Sequence, residues 1–239
     1  IMKLIFISDT HTKERYVDIP EGDIIFHCGD ISTRGYSYEI RDFGEWFADL
    51  PHKYKVMIPG NHDFLFEREP EKARSIIEEC GDIHLLIDQG IEIEGLKIWG
   101  SPITPWFWDW AFNRARNTLN GINQGDNIDN GIKKHWDLIP SEVDVLLTHG
   151  PPHGAGFLGT VLREREDVGC EDLAQAIRER KIGLNAFGHI HEGYGILETE
   201  ETIFVNCSIL DVRYDPVNKP IQFEWREGKF SQPEESSEG

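Results

Sequence analysis

The sequence has no apolar run that approaches the roughly 20 residues needed to cross a bilayer, so a membrane-spanning helix is not expected. Basic residues are also scarce: 24 Lys and Arg stand against 43 Asp and Glu, giving a formal net charge of −19. Because proteins hold nucleic-acid phosphates mainly through Lys and Arg, this charge argues against an extended nucleic-acid partner.

Cysteine is the third scarce residue type. The four cysteines are Cys28, Cys80, Cys170 and Cys207. They form no C-x-x-C pair, which argues against both a disulfide scaffold and a thiolate zinc site. The apolar run at 4–7 is followed at once by Ser8 and Asp9, a pattern too short for a secretory signal. We therefore expect free thiols and a cytoplasmic location.

Short apolar runs and amphipathic segments alternate along the 239 residues, which predicts an α/β protein with a mixed sheet. One domain is expected over 2–230, followed by a disordered acidic tail at 231–239. Helices are predicted at 38–50, 70–80 and 171–180. The Asn- and Gly-rich stretch 113–131 is predicted to be a loop, and 154–168 a mobile loop.

Five short polar segments each follow an apolar run typical of a buried strand. They are Asp9-Thr10-His11, Gly29-Asp30, Gly60-Asn61-His62-Asp63, Thr148-His149-Gly150 and Gly188-His189-Ile190-His191. Loops at the carboxyl ends of strands are where open α/β sheets bind ligands. A donor set this rich in imidazole suits transition metals better than calcium. The pattern therefore predicts a metal centre with enough ligands for two ions.

This ordered set resembles the pattern of the calcineurin-like metallophosphoesterase superfamily, D-x-H, G-D, G-N-H-[DE], H and G-H-x-H. The segments 50–55, 148–152 and 187–195 are similar to its metallophosphoesterase-domain-containing, UPF0046-like branch. The resemblance implies a four-layer αββα sandwich, in which helices flank two mixed sheets. It also implies a metal site at the carboxyl ends of the strands.

The resemblance further implies two divalent transition-metal ions, with manganese preferred and iron, zinc, cobalt and nickel as alternatives. One ion would be bound by Asp9, His11, Asp30 and His191. The other would be bound by Asp30, Asn61, His149 and His189. Asp30 would then bridge the ions and offset their mutual repulsion. With a bridging hydroxide, the neutral imidazoles and the Asn61 amide leave the core a surplus of about +1, which attracts phosphate.

The chemistry expected of such a centre is hydrolysis of a phosphate ester by attack of the metal-bridging hydroxide. By resemblance, His62 would protonate the departing oxygen, and Asp63 would hold the His62 imidazole in its tautomer and raise its pKa. The alternatives are a packing role for His62 and a turn-stabilising role for Asp63. A structural zinc site is disfavoured, because it would use four ligands, often cysteines.

Aromatic residues crowd the segment 99–112, where Trp106, Trp108 and Trp110 alternate. Two interpretations stay open: a pocket wall that stacks on a nucleobase or aryl group, or a hydrophobic flap packed on the sheet, which is favoured for most of these rings. Asn113 and Arg34 are the candidate substrate contacts.

The resemblance implies a phosphodiesterase, with cyclic nucleotides among its candidate substrates. None of the five motifs supplies an Arg, which favours diesters over the more highly charged monoesters. Two alternatives stay open: a phosphomonoesterase or protein phosphatase, and a nucleotide-binding protein with weak catalysis. The expected partner is a small phosphodiester or nucleotide, and the sequence gives no indication of oligomeric state.

Overall fold

Two six-stranded sheets lie face to face in the computed structural model, which describes residues 1–117 and 131–233. The strands are β1 (Met2–Ile7), β2 (Ile24–His27), β3 (Tyr54–Met57), β4 (His84–Leu85), β5 (Gln89–Ile93), β6 (Leu96–Ser101), β7 (Thr104–Pro105), β8 (Asn113–Arg114), β9 (Val145–Thr148), β10 (Thr160–Val161), β11 (Glu166–Asp167), β12 (Leu184–Phe187), β13 (Gly195–Glu198), β14 (Ile203–Asn206), β15 (Ile221–Arg226) and β16 (Lys229–Ser231). The helices are α1 (Ser37–Asp49), α2 (Phe64–Arg68), α3 (Pro70–Cys80), α4 (Lys133–Trp136) and α5 (Glu171–Arg180).

Both large sheets are mixed, as expected. The first has the order β16-β15-β1-β2-β3-β4, in which β1 to β4 are parallel, β15 is antiparallel to β1, and β16 is antiparallel to β15. The second has the order β13-β14-β12-β9-β6-β5, in which the four central strands are parallel and both edge strands are antiparallel. Each sheet therefore aligns the carboxyl ends of several parallel strands at one edge.

Strand alternation builds two apolar layers, because successive side chains of a strand point to opposite faces. On β1, Leu4 and Phe6 join the core between the sheets, and the Phe6 ring stacks on Phe26 at 4.8 Å. Ile5 and Ile7 belong to the cluster that includes the helices. The predicted four-layer sandwich is confirmed.

The amphipathic segments form helices close to their predicted bounds. In α1, Ile40, Phe43 and Phe47 lie at helical spacing and are buried against the first sheet. Pro70 occupies the first turn of α3, where its missing N–H costs nothing. Helices α3 and α5 match the predicted ranges, and α1 is shifted by one residue.

Some segments differ from expectation. The segment 154–168, predicted to be a mobile loop, contains a 3-10 turn (Gly156–Gly159) and the antiparallel pair β10 and β11. Most of the predicted loop 113–131 lies outside the described residues, but its start forms β8, which pairs with β7. Ser231, placed in the predicted tail, ends β16, and 234–239 lie outside the described residues. No helix in the described ranges is long and apolar enough to span a membrane.

Candidate metal centre

The five polar segments meet where the carboxyl ends of the two sheets adjoin. Three of them follow β1, β2 and β3 of the first sheet, and two follow β9 and β12 of the second. A bridge between Ser8 and Ser208 joins the sheets at this edge. The Ser208 hydroxyl donates a hydrogen bond to Asp9 Oδ2 at 2.9 Å, which fixes one carboxylate at the seam.

Several of these loops hold non-glycine residues in the left-handed region, which is uncommon and is concentrated at functional sites. The φ angles are 55° for Asp9, 41° for His11, 56° for Asp30 and 67° for His189. Gly188 allows the close approach of the two sheets here, because a Cβ at that position would lie 1.9 Å from Asp9 Oδ2. The backbone is therefore shaped to bring the polar side chains together.

Three groups of residues could each hold a metal ion, because the potential ligand atoms within a group all lie within 4.8 Å of one another. The groups are Asp9 with His11 and His191, His11 with Asp30 and His62, and Asp30 with His149 and His189. Asp30 Oδ2 lies 3.3 Å from His149 Nε2 and 3.6 Å from His11 Nε2. Asp9 Oδ1 lies 3.5 Å from His191 Nε2. Asp30 thus occupies the position between two donor groups that a bridging ligand requires.

Asn61, the seventh predicted ligand, joins the second group. Its Oδ1 lies 2.9 Å from His149 Nε2, and it is almost fully buried. The structure therefore gathers all seven residues, and their assignment as ligands stays a prediction.

Backbone carbonyls set the orientation of three imidazoles. The Nδ1 atoms of His11, His149 and His191 lie 3.0, 2.8 and 3.0 Å from the carbonyl oxygens of Ser32, Cys28 and Asp211, respectively. Donation from Nδ1 leaves Nε2 free to coordinate, which is the usual arrangement around metal-binding histidines. His11 Nε2 is buried without a hydrogen-bond partner in the described chain, so a cation would satisfy it.

The charges of the buried carboxylates and imidazoles also suit a bound metal cation. Burial opposes ionisation of Asp30, but His149 and His62 hold the pKa of its carboxyl well below the usual range. Burial lowers the pKa of His149, yet Asp30 raises it to about 10. For His191 burial likewise opposes charge, and Asp9 raises the pKa to about 9. The carboxylates therefore attract positive charge strongly. A divalent cation bound beside them would displace the protons from the imidazoles.

His62 lies at the edge of this cluster, with Nε2 4.0 Å from Asp30 Oδ2. Its Nδ1 lies 2.9 Å from the Thr33 carbonyl oxygen, which fixes the tautomer. The expectation that Asp63 holds the His62 imidazole in its tautomer is wrong, because the Thr33 carbonyl makes that contact. The Asp63 carboxylate instead accepts hydrogen bonds from the backbone amides of Ile31, Ser32 and Gly60 and from the Ser32 hydroxyl. Asp63 connects the two loops that carry Asp30 and Asn61.

An open cavity of about 380 Å³ lies over the cluster. Its lining residues are His11, Asp30, Asn61, His62, Phe107, Trp110, His189, His191, Glu192, Val212 and Tyr214. The Trp110 ring lies 4.3 Å from the His62 ring, and Phe107 lies 5.2 Å from His189. The pocket-wall interpretation therefore fits Trp110, whereas Trp108 is 70% exposed and lies away from this cavity.

Asn113 and Arg34, the two candidate substrate contacts, are not among the residues that line the cavity. The Asn113 amide donates to Thr104 Oγ1 and the Ala111 carbonyl and accepts from the Phe107 amide, so it shapes the aromatic loop rather than facing the cavity. The Arg34 guanidinium carbon lies 5.8 Å from the Trp110 ring centroid, and Arg34 is not among the residues that line the cavity. The geometry supports a substrate contact for neither residue.

Tyr214 and Glu192 were missed by sequence reasoning, although both line the cavity. The Tyr214 ring lies 5.1 Å from the His11 ring and 5.0 Å from the His191 ring. Glu192 directly follows the last motif, so adjacency could have indicated it. Tyr214 belongs to none of the motifs, and only the fold brings it to the site.

The sequence is similar to proteins of one known family. The sequence profile of the calcineurin-like phosphoesterase family matches residues 2–193. Metallophosphoesterase domain-containing protein 1 of Homo sapiens is 35% identical over 240 residues, covering 92% of this chain and 69% of that protein. A UPF0046 protein of Caenorhabditis elegans is 31% identical over 246 residues, covering 93% of this chain and 80% of its own length.

Solved structures share the fold at low sequence identity. Phosphopantetheinyl hydrolase from Mycobacterium tuberculosis superposes with a TM-score of 0.60 at 15% identity, covering 89% of this chain and 90% of that one. TT1561 of Thermus thermophilus gives a TM-score of 0.58 at 13% identity and covers 98% of both chains. At these identities the similarity establishes the fold alone.

Proposed function

The chain belongs to the calcineurin-like phosphoesterase family, and from this premise we propose that it is a phosphodiesterase that uses two divalent metal ions. Family membership supports metal-dependent hydrolysis of phosphate esters. The observation that carries the dinuclear proposal is the position of Asp30, whose carboxylate is shared by two groups of imidazoles.

The residues divide into two ligand sets around Asp30. Asp9, His11 and His191 would complete one set, and Asn61, His149 and His189 the other. Two ions held there would lower the pKa of a water molecule and polarise the phosphoryl oxygens. The buried carboxylates and the carbonyl-anchored imidazoles keep the donor atoms in place, so little reorganisation is needed when substrate binds.

His62 is the proposed general acid. The Thr33 carbonyl fixes its Nδ1, and its Nε2 faces the cavity close to Asp30. Because Nδ1–H is held by that carbonyl, the transferable proton is the second one, carried on Nε2 of the imidazolium form. Its transfer to the departing ester oxygen leaves neutral His62 and avoids release of an unstable alkoxide.

The cavity favours a diester over a monoester. Among the described residues that line it, none is Lys or Arg, and Glu192 adds a negative charge at the rim. A dianionic monoester would meet this charge at a greater cost than a monoanionic diester. The rings of Phe107 and Trp110 could receive a planar group, which keeps cyclic nucleotides among the proposed substrates.

The donor set supports manganese as the proposed metal, since carboxylates, imidazoles and an amide oxygen suit it; iron, zinc, cobalt and nickel are alternatives. All four cysteines are free thiols, which supports the proposed cytoplasmic location. The net charge of −19 supports a small substrate rather than extended nucleic acid.

The test compares hydrolysis of bis-p-nitrophenyl phosphate and p-nitrophenyl phosphate by metal-stripped protein reloaded with manganese. We expect preference for the diester, with turnover lost in Asp30→Asn. His62→Asn should lose far more activity on a diester with an alkoxide leaving group than on the p-nitrophenyl ester, because p-nitrophenolate departs without a proton. His84→Asn is the matched control, because His84 lies on β4 and outside the cavity lining.

Asp30→Asn should also reduce the metal content, whereas His62→Asn should retain two ions. Preference for the monoester would instead identify a phosphomonoesterase. Two bound ions with no hydrolysis of either ester would contradict the enzyme proposal for these substrates and favour nucleotide binding.

A further inference from the structure

A turn after β14 reaches the cavity and is held by Asp211. The Asp211 carboxylate accepts hydrogen bonds from the Arg213 and Asp215 amides at 2.8 and 2.9 Å, and its carbonyl accepts from the Tyr214 amide at 2.8 Å. The same carbonyl lies 3.0 Å from His191 Nδ1. The turn is therefore connected by a hydrogen bond to His191, one of the proposed ligands. It lies beyond residue 193, where the match to the family profile ends.

Tyr214 has an unusual backbone conformation within this turn, with φ 63°. A bulky residue in the left-handed region is strained, and such strain persists only where the surroundings enforce it. Here the Asp211 hydrogen bonds enforce it. The result is that the ring lies against His11 and His191, which share one proposed metal ion.

The Tyr214 hydroxyl is available to a ligand. The residue is 43% exposed and lines the cavity, and its hydroxyl has no hydrogen-bond partner among the described residues. A phenol has an ordinary pKa of about 10, so a tyrosine hydroxyl is neutral near neutral pH and can donate a hydrogen bond. It is thus a neutral donor beside a site that lacks Lys and Arg in its described lining.

We propose that Tyr214 is a substrate-contacting residue whose hydroxyl donates a hydrogen bond to a phosphoryl oxygen of the bound ester. This inference rests on the proposed function. A neutral donor suits a monoanionic diester, because it stabilises the phosphoryl oxygen without the excess positive charge that favours a monoester. A hydrogen bond to a charged oxygen is worth enough to change affinity or rate by about tenfold or more.

The alternative is that the Tyr214 ring only packs against the two imidazoles. Tyr214→Phe separates the two roles, because it retains the ring and removes the hydroxyl. Tyr214→Ala removes both. The matched control is Tyr38→Phe, since Tyr38 is 63% exposed on α1 and its ring stacks on Tyr36 instead.

Three quantities would be measured on manganese-loaded protein: metal content, kcat/KM for bis-p-nitrophenyl phosphate, and the Kd of inorganic phosphate by calorimetry. For Tyr214→Phe we expect unchanged metal content, a loss of about tenfold in kcat/KM, and a similar weakening of phosphate binding. Tyr38→Phe should match the wild type in all three.

Unchanged kcat/KM and unchanged phosphate affinity in Tyr214→Phe would overturn the proposal, and loss of metal in Tyr214→Ala alone would identify a packing role. The failure of the proposed function is distinguishable. If the wild type hydrolyses no ester but Tyr214→Phe still weakens phosphate binding, the result would support the hydroxyl contact and contradict the proposed enzymatic function.

Discussion

At the scale of single residues, Asp63 shows how a motif residue can act through the backbone. Each of its two carboxylate oxygens accepts two hydrogen bonds, from the Ile31 and Gly60 amides and from the Ser32 amide and hydroxyl. Burial, then the charge of Asp30, raises the pKa of Asp63 to about 6. The ionised carboxylate is thus held in a buried position by four donors.

Asp63→Asn should destabilise the protein, because the new NH₂ group would face two donors that then lack an acceptor. We expect the free energy of unfolding to fall by about 2–4 kcal/mol, measured by urea denaturation at pH 8. Ser32→Ala removes only one of the four donors and should cost about 1 kcal/mol. A shift in the His62 titration without loss of stability would instead restore the role in orienting His62.

Glu14 is a buried carboxyl away from the proposed ligands. It is 4% exposed, and its Oε2 has no hydrogen-bond partner in the described chain. Burial is the main cause that raises its pKa. The folded state therefore binds the proton more tightly than the unfolded state. Its contribution to stability is present below the ordinary carboxyl pKa of about 4.3 and is lost as pH rises through the raised folded value.

Glu14→Gln removes this titration and should be more stable than the wild type at pH 8. The difference should shrink as pH falls below about 4, where the carboxyl is protonated in both states. Denaturation of both proteins across pH measures it. Glu78→Gln, on the exposed face of α3, should show no such trend. A difference that is independent of pH would contradict the assignment to Glu14 ionisation.

The sequence identified the seven proposed ligands because each follows a recognisable strand, and parallel strands deliver their following loops to one edge. It could not identify the partners of Asp63 or Asn113. A carboxylate or amide can accept from any nearby donor, and the donors here come from segments that only the fold brings together. Tyr214 was missed for the same reason.

At the scale of elements, the aromatic segment between β7 and β8 has two different faces. The Trp110 ring packs on His62 and, at 5.7 Å, on Phe64, whereas Trp108 projects away. The Asn113 side chain fixes this loop near both of its ends, because it accepts from the Phe107 amide and donates to the Ala111 carbonyl. The loop therefore combines a packed flap and a pocket wall, the two interpretations that the sequence left open.

Trp110→Ala should lower kcat/KM for diesters by about two- to tenfold, the range expected for loss of an aromatic contact that holds His62. The loss should be greater for an alkoxide leaving group than for p-nitrophenolate, which departs without a proton. Trp108→Ala should leave kcat/KM unchanged with either leaving group. Equal losses with both leaving groups would show that Trp110 does not act through His62.

Element prediction succeeded where periodicity is long and failed where it is short. Helices α3 and α5 run for 11 and 10 residues with clear apolar faces. The five-residue α2 and the two-residue strands β10 and β11 are too short to show a period. Their formation depends on contacts with other elements, such as those of α2 with α3 and of β10 with the turn His191–Gly193, which local sequence does not contain.

At the scale of the whole molecule, the proposed metal centre joins the two sheets. Asp9, His11, Asp30 and Asn61 follow strands of the first sheet, and the other three ligands follow strands of the second. Asp9 and Asp30 are almost completely buried at this seam. Among the described residues, the imidazoles of His149 and His191 supply the main positive charge beside these carboxylates, so bound metal should stabilise the sandwich as well as its site.

Removal of metal should therefore lower the melting temperature. An ion at 100 times its Kd stabilises the folded state by about 2.7 kcal/mol, and each kcal/mol shifts the melting temperature of a chain this size by about 2–4 °C. Because chelation removes both proposed ions, a loss of about 5 kcal/mol in total, we expect it to lower the melting temperature by about 10–20 °C, measured by calorimetry with metal analysis. Asp30→Asn should show a smaller shift on chelation than the wild type.

Because the ligands span both sheets, removal of metal should accelerate hydrogen exchange together in the loops after β1 and β12. Loss of both ions without any change in melting temperature or exchange would show that the sheets are held by their apolar layer alone.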